Sequence, residues 1–264
     1  MSKKIRLIQY LAKTGEFEER EDAAHSIMHS HITVDGKTVT NPNYEIKESS
    51  AVSLNGRQVS RLRNIYLALN KPSGIFCQKS RDRKAKTIFS FIRKKRLPLL
   101  GKEINSLFSV GRLDKDTTGL LILTNDGKLN ELMMKPENKV EKTYIATLDK
   151  EISEDSLLLL KKGIIIPIED FEGKESEYRT KECSAERIGN KEVKITILEG
   201  KKRQVRLMLS AVGCAVVSLK RVSVGKLSLE KIGIEKEGDI KEITEEQAYS
   251  ACLITMENNL LEKG

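Results

Sequence analysis

Residues 109–127, SVGRLDKDTTGLLILTNDG, set two carboxylates, Asp114 and Asp116, between two apolar runs. The run LLIL at 120–123 is continuous, β-prone and too apolar for a surface, so it reads as a strand inside a core, while SVGRLD brings an earlier strand to a turn. Gly111 and Gly119 bracket the carboxylates and allow another backbone to come close. Outward from this stretch the chain alternates strand-like and helix-like runs: LLILT, KLNELMM, TYIATLD, EDSLLLLKKG, VKITIL, RQVRLMLSAVG and AVVSLKRVSVG. Such alternation predicts an α+β domain. Pro is rare and no long Gly/Ser tract interrupts, so one continuous domain is expected over 61–264.

The first 60 residues are built differently. IRLIQYLAK at 5–13 and REDAAHSIMH at 20–29 carry apolar side chains at helical spacing, and Gly15 stops the first of them. HITVDGKTV and AVSLNGRQV then place Asp35-Gly36 and Asn55-Gly56 between short β-prone runs, the strongest local signal for a tight hairpin. Two helices followed by small hairpins make a compact module over 1–60.

The formal charge of +9 points to a polyanionic partner, of which nucleic acid is the commonest. The excess is local. Residues 1–60 hold 8 basic and 8 acidic side chains, 61–110 hold 13 and 2, and 111–264 hold 26 and 28. The densest cationic segments are KSRDRKAK at 79–86 and Arg93, Lys94, Lys95 and Arg96. A face that is merely solvated is the alternative reading of such a run. No stretch reaches the ~18 to 20 consecutive apolar residues of a membrane span, and the apolar part of MSKKIRLIQYL is too short for a secretory signal, so a cytoplasmic protein with no membrane partner is expected. Cys77, Cys183, Cys214 and Cys252 lie far apart without a metal-binding or disulfide spacing. His25 and His29 would share a helix face, but no carboxylate or thiol completes a ligand set around them and His31, and no metal site is expected.

The pair Asp114 and Asp116 admits three readings. As a calcium loop it fails, because position twelve is Asn125 where a bidentate Glu is needed. As D-x-D-x-T it fits a magnesium-dependent aspartyl phosphatase of the haloacid dehalogenase type, with Asp114 as nucleophile and Asp116 as acid/base. The chain offers no later acidic cluster suited to that metal. The third reading rests on four phrases in order: ALNKPSGIFC at 68–77, GRLDKDTTGLLILTNDG at 111–127, EKTYIATLD at 141–149 and EGKKRQVRLMLSAVG at 199–213. Together they resemble the RsuA-type family of RNA pseudouridine synthases, and residues 1–60 resemble the S4-like RNA-binding module that precedes its catalytic domain.

The resemblance implies a catalytic domain on a mixed, mainly antiparallel sheet with flanking helices. It also implies isomerisation of a uridine in structured RNA, ribosomal first and transfer RNA second, with no metal or organic cofactor, by a monomer. It makes Asp114 the catalytic carboxylate, Arg206 the guanidinium expected to pair with it, and Tyr144 the ring expected to stack on the target base. Arg112, Lys202 and Arg203, with residues 93–96, are the expected RNA contacts, and the Lys71-Pro72 turn is expected to support the site. A ribosome-binding protein without catalysis remains the other alternative. Two departures bear on substrate choice: the amino-terminal module shows FEERED at 17–22 where the family carries cations, and the chain has no Trp, leaving EGDIKEIT at 237–244 in place of the family's Trp-containing phrase.

Overall fold

A computed structural model describes residues 4–80, 82, 84–95, 97, 101–169 and 173–252. The chain divides into two compact units, Met1–Ile65 with Phe91–Phe108, and Tyr66–Ser90 with Ser109–Gly264. Sequence reading had placed the boundary near 60 and assigned 91–108 to the second domain. The charges show why that segment groups with the first unit. Glu16 accepts from Arg57 and from Lys102, each at 2.6 Å, and Glu18 accepts from Arg93 at 2.6 Å. Asn105 donates to the Gly15 carbonyl at 3.1 Å.

In the first unit the helices Leu7–Ala12 and Arg20–Met28 form as expected, preceded by a short strand Lys4–Arg6 that pairs with Glu45–Lys47. Leu7, Leu11, Ala23, Ile27 and Ile32 are fully enclosed. Both anticipated hairpins are present. Asp35 and Gly36 (φ 50° and 79°) join Ile32–Val34 to Lys37–Thr38, and Asn55 and Gly56 (φ 49° and 77°) join Val52–Leu54 to Arg57–Val59. Two consecutive positive φ values are what a tight hairpin requires to match strand twist.

The second unit is built on a mixed, mainly antiparallel sheet. Among the described residues its main path runs Ser184–Gly189, Glu192–Ile197, Lys142–Leu148, Val216–Val224, Thr118–Thr124, Tyr66–Lys71 and Ile240–Glu242. One neighbouring pair on this path is parallel, Val216–Val224 with Thr118–Thr124. The LLIL run lies between two neighbours, and its four side chains are at most 1 % exposed, which explains an apolar run without alternation. The helices Gly127–Met134, Glu154–Lys161 and Gln204–Ala211 fall on the helix-like runs of the sequence. Ser153 caps Glu154–Lys161 by accepting from the Ser156 amide at 3.2 Å. A hairpin of Ile165–Glu169 with Glu175–Arg179 was not anticipated. Among the described residues no helix is long and apolar enough to cross a membrane.

Candidate active site

Asp114 sits on a loop held from behind by two side chains of the first phrase. Leu113 donates its amide to the Cys77 sulfur at 3.3 Å, and the Cys77 thiol donates back to the Leu113 carbonyl at 3.3 Å. Burial pushes that thiol's pKa up, which keeps it a neutral donor. The Lys71 ammonium, fully enclosed, donates to the carbonyls of Pro72, Lys115 and Thr117 at 3.1, 3.1 and 2.9 Å. The Gly74 amide adds a bond to the Lys115 carbonyl at 2.8 Å, and the Thr117 amide closes the turn on the Asp114 carbonyl at 3.1 Å. The ASN-LYS-PRO phrase thus supports the loop, as expected of the Lys71-Pro72 turn, and Lys71 is its main fastening. Burial lowers the Lys71 pKa, opposed by the carboxylates of Asp116 and Asp114 nearby.

Replacing this fastening has a definite expected result. Lys71→Met leaves three carbonyls without their shared donor, and bonds to a charged group each contribute about 1.5 to 3 kcal/mol, offset in part by relief of the buried charge. A net loss of about 2 to 3 kcal/mol in urea unfolding is expected, with a turnover loss of about tenfold or more from the loosened loop. An unchanged unfolding midpoint would show that the three contacts carry no net stability.

A cavity of about 390 Å³ opens on this loop, and Asp114 and Tyr144 both line it. Tyr144 lies on the strand Lys142–Leu148 and is 8 % exposed. Arg112, Lys201 and Arg203 are exposed residues of the same cavity wall. Thr117 also belongs to that wall, and its buried hydroxyl has no hydrogen-bond partner among the described residues. Buried polar groups without partners are rare, so this hydroxyl is a candidate contact for whatever enters.

The expected pairing of Arg206 with Asp114 is corrected by the structure. Arg206 makes its ion pair with the Asp116 carboxylate at 3.1 Å, and it also donates to the carbonyls of Val216 and Asp116 at 3.2 and 3.4 Å. Arg203 reaches the same Asp116 carboxylate at 3.4 Å. Asp114 lines the cavity, and Asp116, within the tight turn from Asp114 to Thr117, meets Arg206 of the helix Gln204–Ala211. Arg203 precedes the helix Gln204–Ala211, with φ 55°.

The remaining expected RNA contacts are spread over both units. Lys202 is exposed and pairs with Glu169 at 2.7 Å. Lys94 and Lys95 are exposed on the helix Ile88–Lys95, whereas Arg93 is committed to Glu18 and to Asn105, the latter at 2.8 Å. Arg96 lies outside the described residues.

Sequence reading missed four further residues. Glu199 accepts from the Tyr178 hydroxyl and from Gln204 Nε2, each at 2.6 Å, and from the Lys181 amide at 3.1 Å. The hydrogen bond to Glu199, then burial and the Glu199 charge, push the Tyr178 pKa up to about 12. Lys142 and Arg221 also line the cavity. The signal for Lys142 was available: in a strand, residues two apart share a face, so Lys142 lies on the face of Tyr144. Nothing local marks Tyr178 or Arg221.

Known proteins resemble the chain over most of its length. The family model for RNA pseudouridylate synthase matches residues 65–211, and that for the S4 domain matches residues 5–52. The chain is 33 % identical over 217 residues to ribosomal large subunit pseudouridine synthase B of Bacillus subtilis (strain 168), covering 82 % of this chain and 84 % of the relative. It is 32 % identical over 232 residues to ribosomal small subunit pseudouridine synthase A of Salmonella typhimurium, covering 88 % and 93 %. A crystal structure of a pseudouridylate synthase superposes with a TM-score of 0.62 at 27 % identity, covering 94 % of this chain and 99 % of that one.

Proposed function

Because the chain belongs to the RNA pseudouridylate synthase family and carries an S4 domain ahead of its catalytic domain, we propose that it isomerises one uridine of ribosomal RNA with Asp114 as the catalytic carboxylate and no cofactor. The observation that carries this reading is the placement of Asp114 and Tyr144 in one cavity, on a loop fastened at Leu113, Lys115 and Thr117.

The reaction breaks the bond from uracil N1 to the ribose, turns the base and joins its C5 to the same carbon. N1 gains a proton and C5 loses one, so the composition is unchanged. Asp114 acts as nucleophile at the anomeric carbon or as base on the ribose; both need an ionised carboxylate beside the sugar. Tyr144 offers a planar face to the extruded base, and stacking worth ~1 to 3 kcal/mol offsets the cost of leaving the helix stack. Arg206 acts through Asp116 as a positioning residue: it ties the outer side of the Asp114 loop to the helix Gln204–Ala211. Arg112, Lys202 and Arg203, with Lys94 and Lys95 of the other unit, supply phosphate contacts. Arg93 is spent within its own unit on Glu18, so the acidic FEERED phrase consumes cationic charge as well as lacking it.

The test incubates the full chain with small-subunit RNA, large-subunit RNA and transfer RNA transcripts and maps pseudouridine by carbodiimide adducts. Conversion of one ribosomal uridine without added metal is the expected result. Conversion of transfer RNA alone would overturn the ribosomal assignment, and binding without conversion would overturn catalysis.

A further inference from the structure

We infer that Lys142 and Arg221 form a cationic floor in the Asp114 cavity that stabilises the detached uracil as an anion. The inference rests on the reading above and adds two residues to its chemistry.

The strand register brings them together. Tyr144 pairs with Arg221 across the antiparallel contact of Lys142–Leu148 with Val216–Val224, so the two side chains share a face, and Lys142 stands two residues before Tyr144 on that face. All three line the cavity, whose wall also includes the apolar side chains of Val110, Ile122 and Leu219. Arg221 is 4 % exposed, and its Nε donates to the Leu120 carbonyl at 2.8 Å, which fixes the guanidinium against the neighbouring strand. The Lys142 ammonium donates to the Val140 carbonyl at 2.9 Å.

Lys142 and Arg221, half-buried and buried on one cavity wall, are costly unless a carboxylate answers them. The carboxylate that acts on Lys142 is Glu199, and Glu199 already accepts from Tyr178, Gln204 and the Lys181 amide. Burial, and then Arg221, lower the Lys142 pKa to about 8. An arriving anion offsets that cost. Exposed cations such as Arg112, Lys201 and Arg203 suit phosphates, which remain on the solvent side of a nucleotide. The half-buried Lys142 and the buried Arg221, on the face of the proposed stacking ring, suit the base.

Cleavage supplies the anion. When the bond from N1 to the ribose breaks, its electron pair stays on the base, and the charge spreads over N1 and the carbonyl oxygens. This holds whether Asp114 attacks the sugar or removes its proton. Fixed charges aimed at charge that develops in the transition state accelerate a step by about 10² to 10³.

The experiment measures single-turnover cleavage of the N-glycosidic bond by the full chain at saturating RNA. It compares a substrate carrying uridine at the target with one carrying 5-fluorouridine, whose fluorine stabilises the base anion. Lys142→Met is expected to slow the uridine substrate by about 100-fold and the fluorinated one by about tenfold or less, with RNA affinity within about threefold. Lys142→Arg keeps the charge and is expected to keep the wild-type ratio between the substrates; Lys142→Gln gives the same comparison if the Met protein does not fold. Equal losses on both substrates, or weaker binding with a salt slope lower by ~0.7 to 0.9 and an unchanged rate, would overturn the inference by making Lys142 structural or a phosphate contact. Inactivity of the wild-type protein on every RNA would instead overturn the parent reading.

Discussion

Asp114→Asn is expected to abolish pseudouridine formation, by at least about a thousandfold in single-turnover rate, because an amide is neither a nucleophile nor a base at the sugar. The fold of the loop survives the change. Its fastenings are backbone groups: the Leu113 amide and carbonyl on Cys77, the Lys115 and Thr117 carbonyls on Lys71, and the Thr117 amide on the Asp114 carbonyl. None of them uses the Asp114 carboxylate, so the unfolding midpoint and the RNA affinity are expected to stay near wild type. Asp116→Asn is the comparison. That carboxylate, 47 % exposed, pairs with the exposed Arg203 and with Arg206, whose side chain is 11 % exposed; water screens the carboxylate end of both pairs, so a loss within about tenfold is expected. Equal losses in the two variants would sink the assignment of Asp114.

Gly119→Ala is expected to destabilise the catalytic unit by about 2 to 6 kcal/mol, the sum of a strained backbone and an overfilled contact. Gly119 lies opposite Arg221 where Thr118–Thr124 and Val216–Val224 run parallel, and it has φ 107°. A Cβ there would stand 2.2 Å from the Arg221 carbonyl oxygen and 2.6 Å from its nitrogen. Backbone inside a sheet cannot give way as the end of a long side chain can. Gly36→Ala is the control: its φ of 79° imposes strain, but no atom lies within 4 Å of the added carbon, and a loss of about 1 kcal/mol is expected. Denaturant unfolding of both proteins checks the pair. Equal midpoints for the two variants would show that the sheet adjusts at Gly119.

The features legible in the sequence are those that neighbouring residues decide among themselves. Asp35-Gly36 and Asn55-Gly56 adopt the positive φ values that those residue types tolerate, and both hairpins form. EDSLLLLK and QVRLMLSA show their helices by periodicity, because burial acts on a face that recurs every 3.6 residues, and LLILT shows its strand as a short unbroken β-prone run. Arg203 shows the limit of that logic: the pattern of the helix runs into it, yet the chain turns there with φ 55°.

By itself, then, the sequence determined the element types, the mixed α+β class, the S4-like module ahead of the catalytic domain and, through its four phrases, the family. The tertiary structure decided which charges meet. Arg93 finds Glu18 across 75 positions, and Arg206 meets Asp116, not Asp114, across 90. Lys71 is enclosed by carbonyls more than 40 positions away, and Lys142 and Arg221 share a cavity wall because their strands pair. Periodicity records how often a side chain faces the core, which is a local property. An ion pair or a buried cation depends on distance through space, and that distance exists only once the sheet has brought separate strands into register.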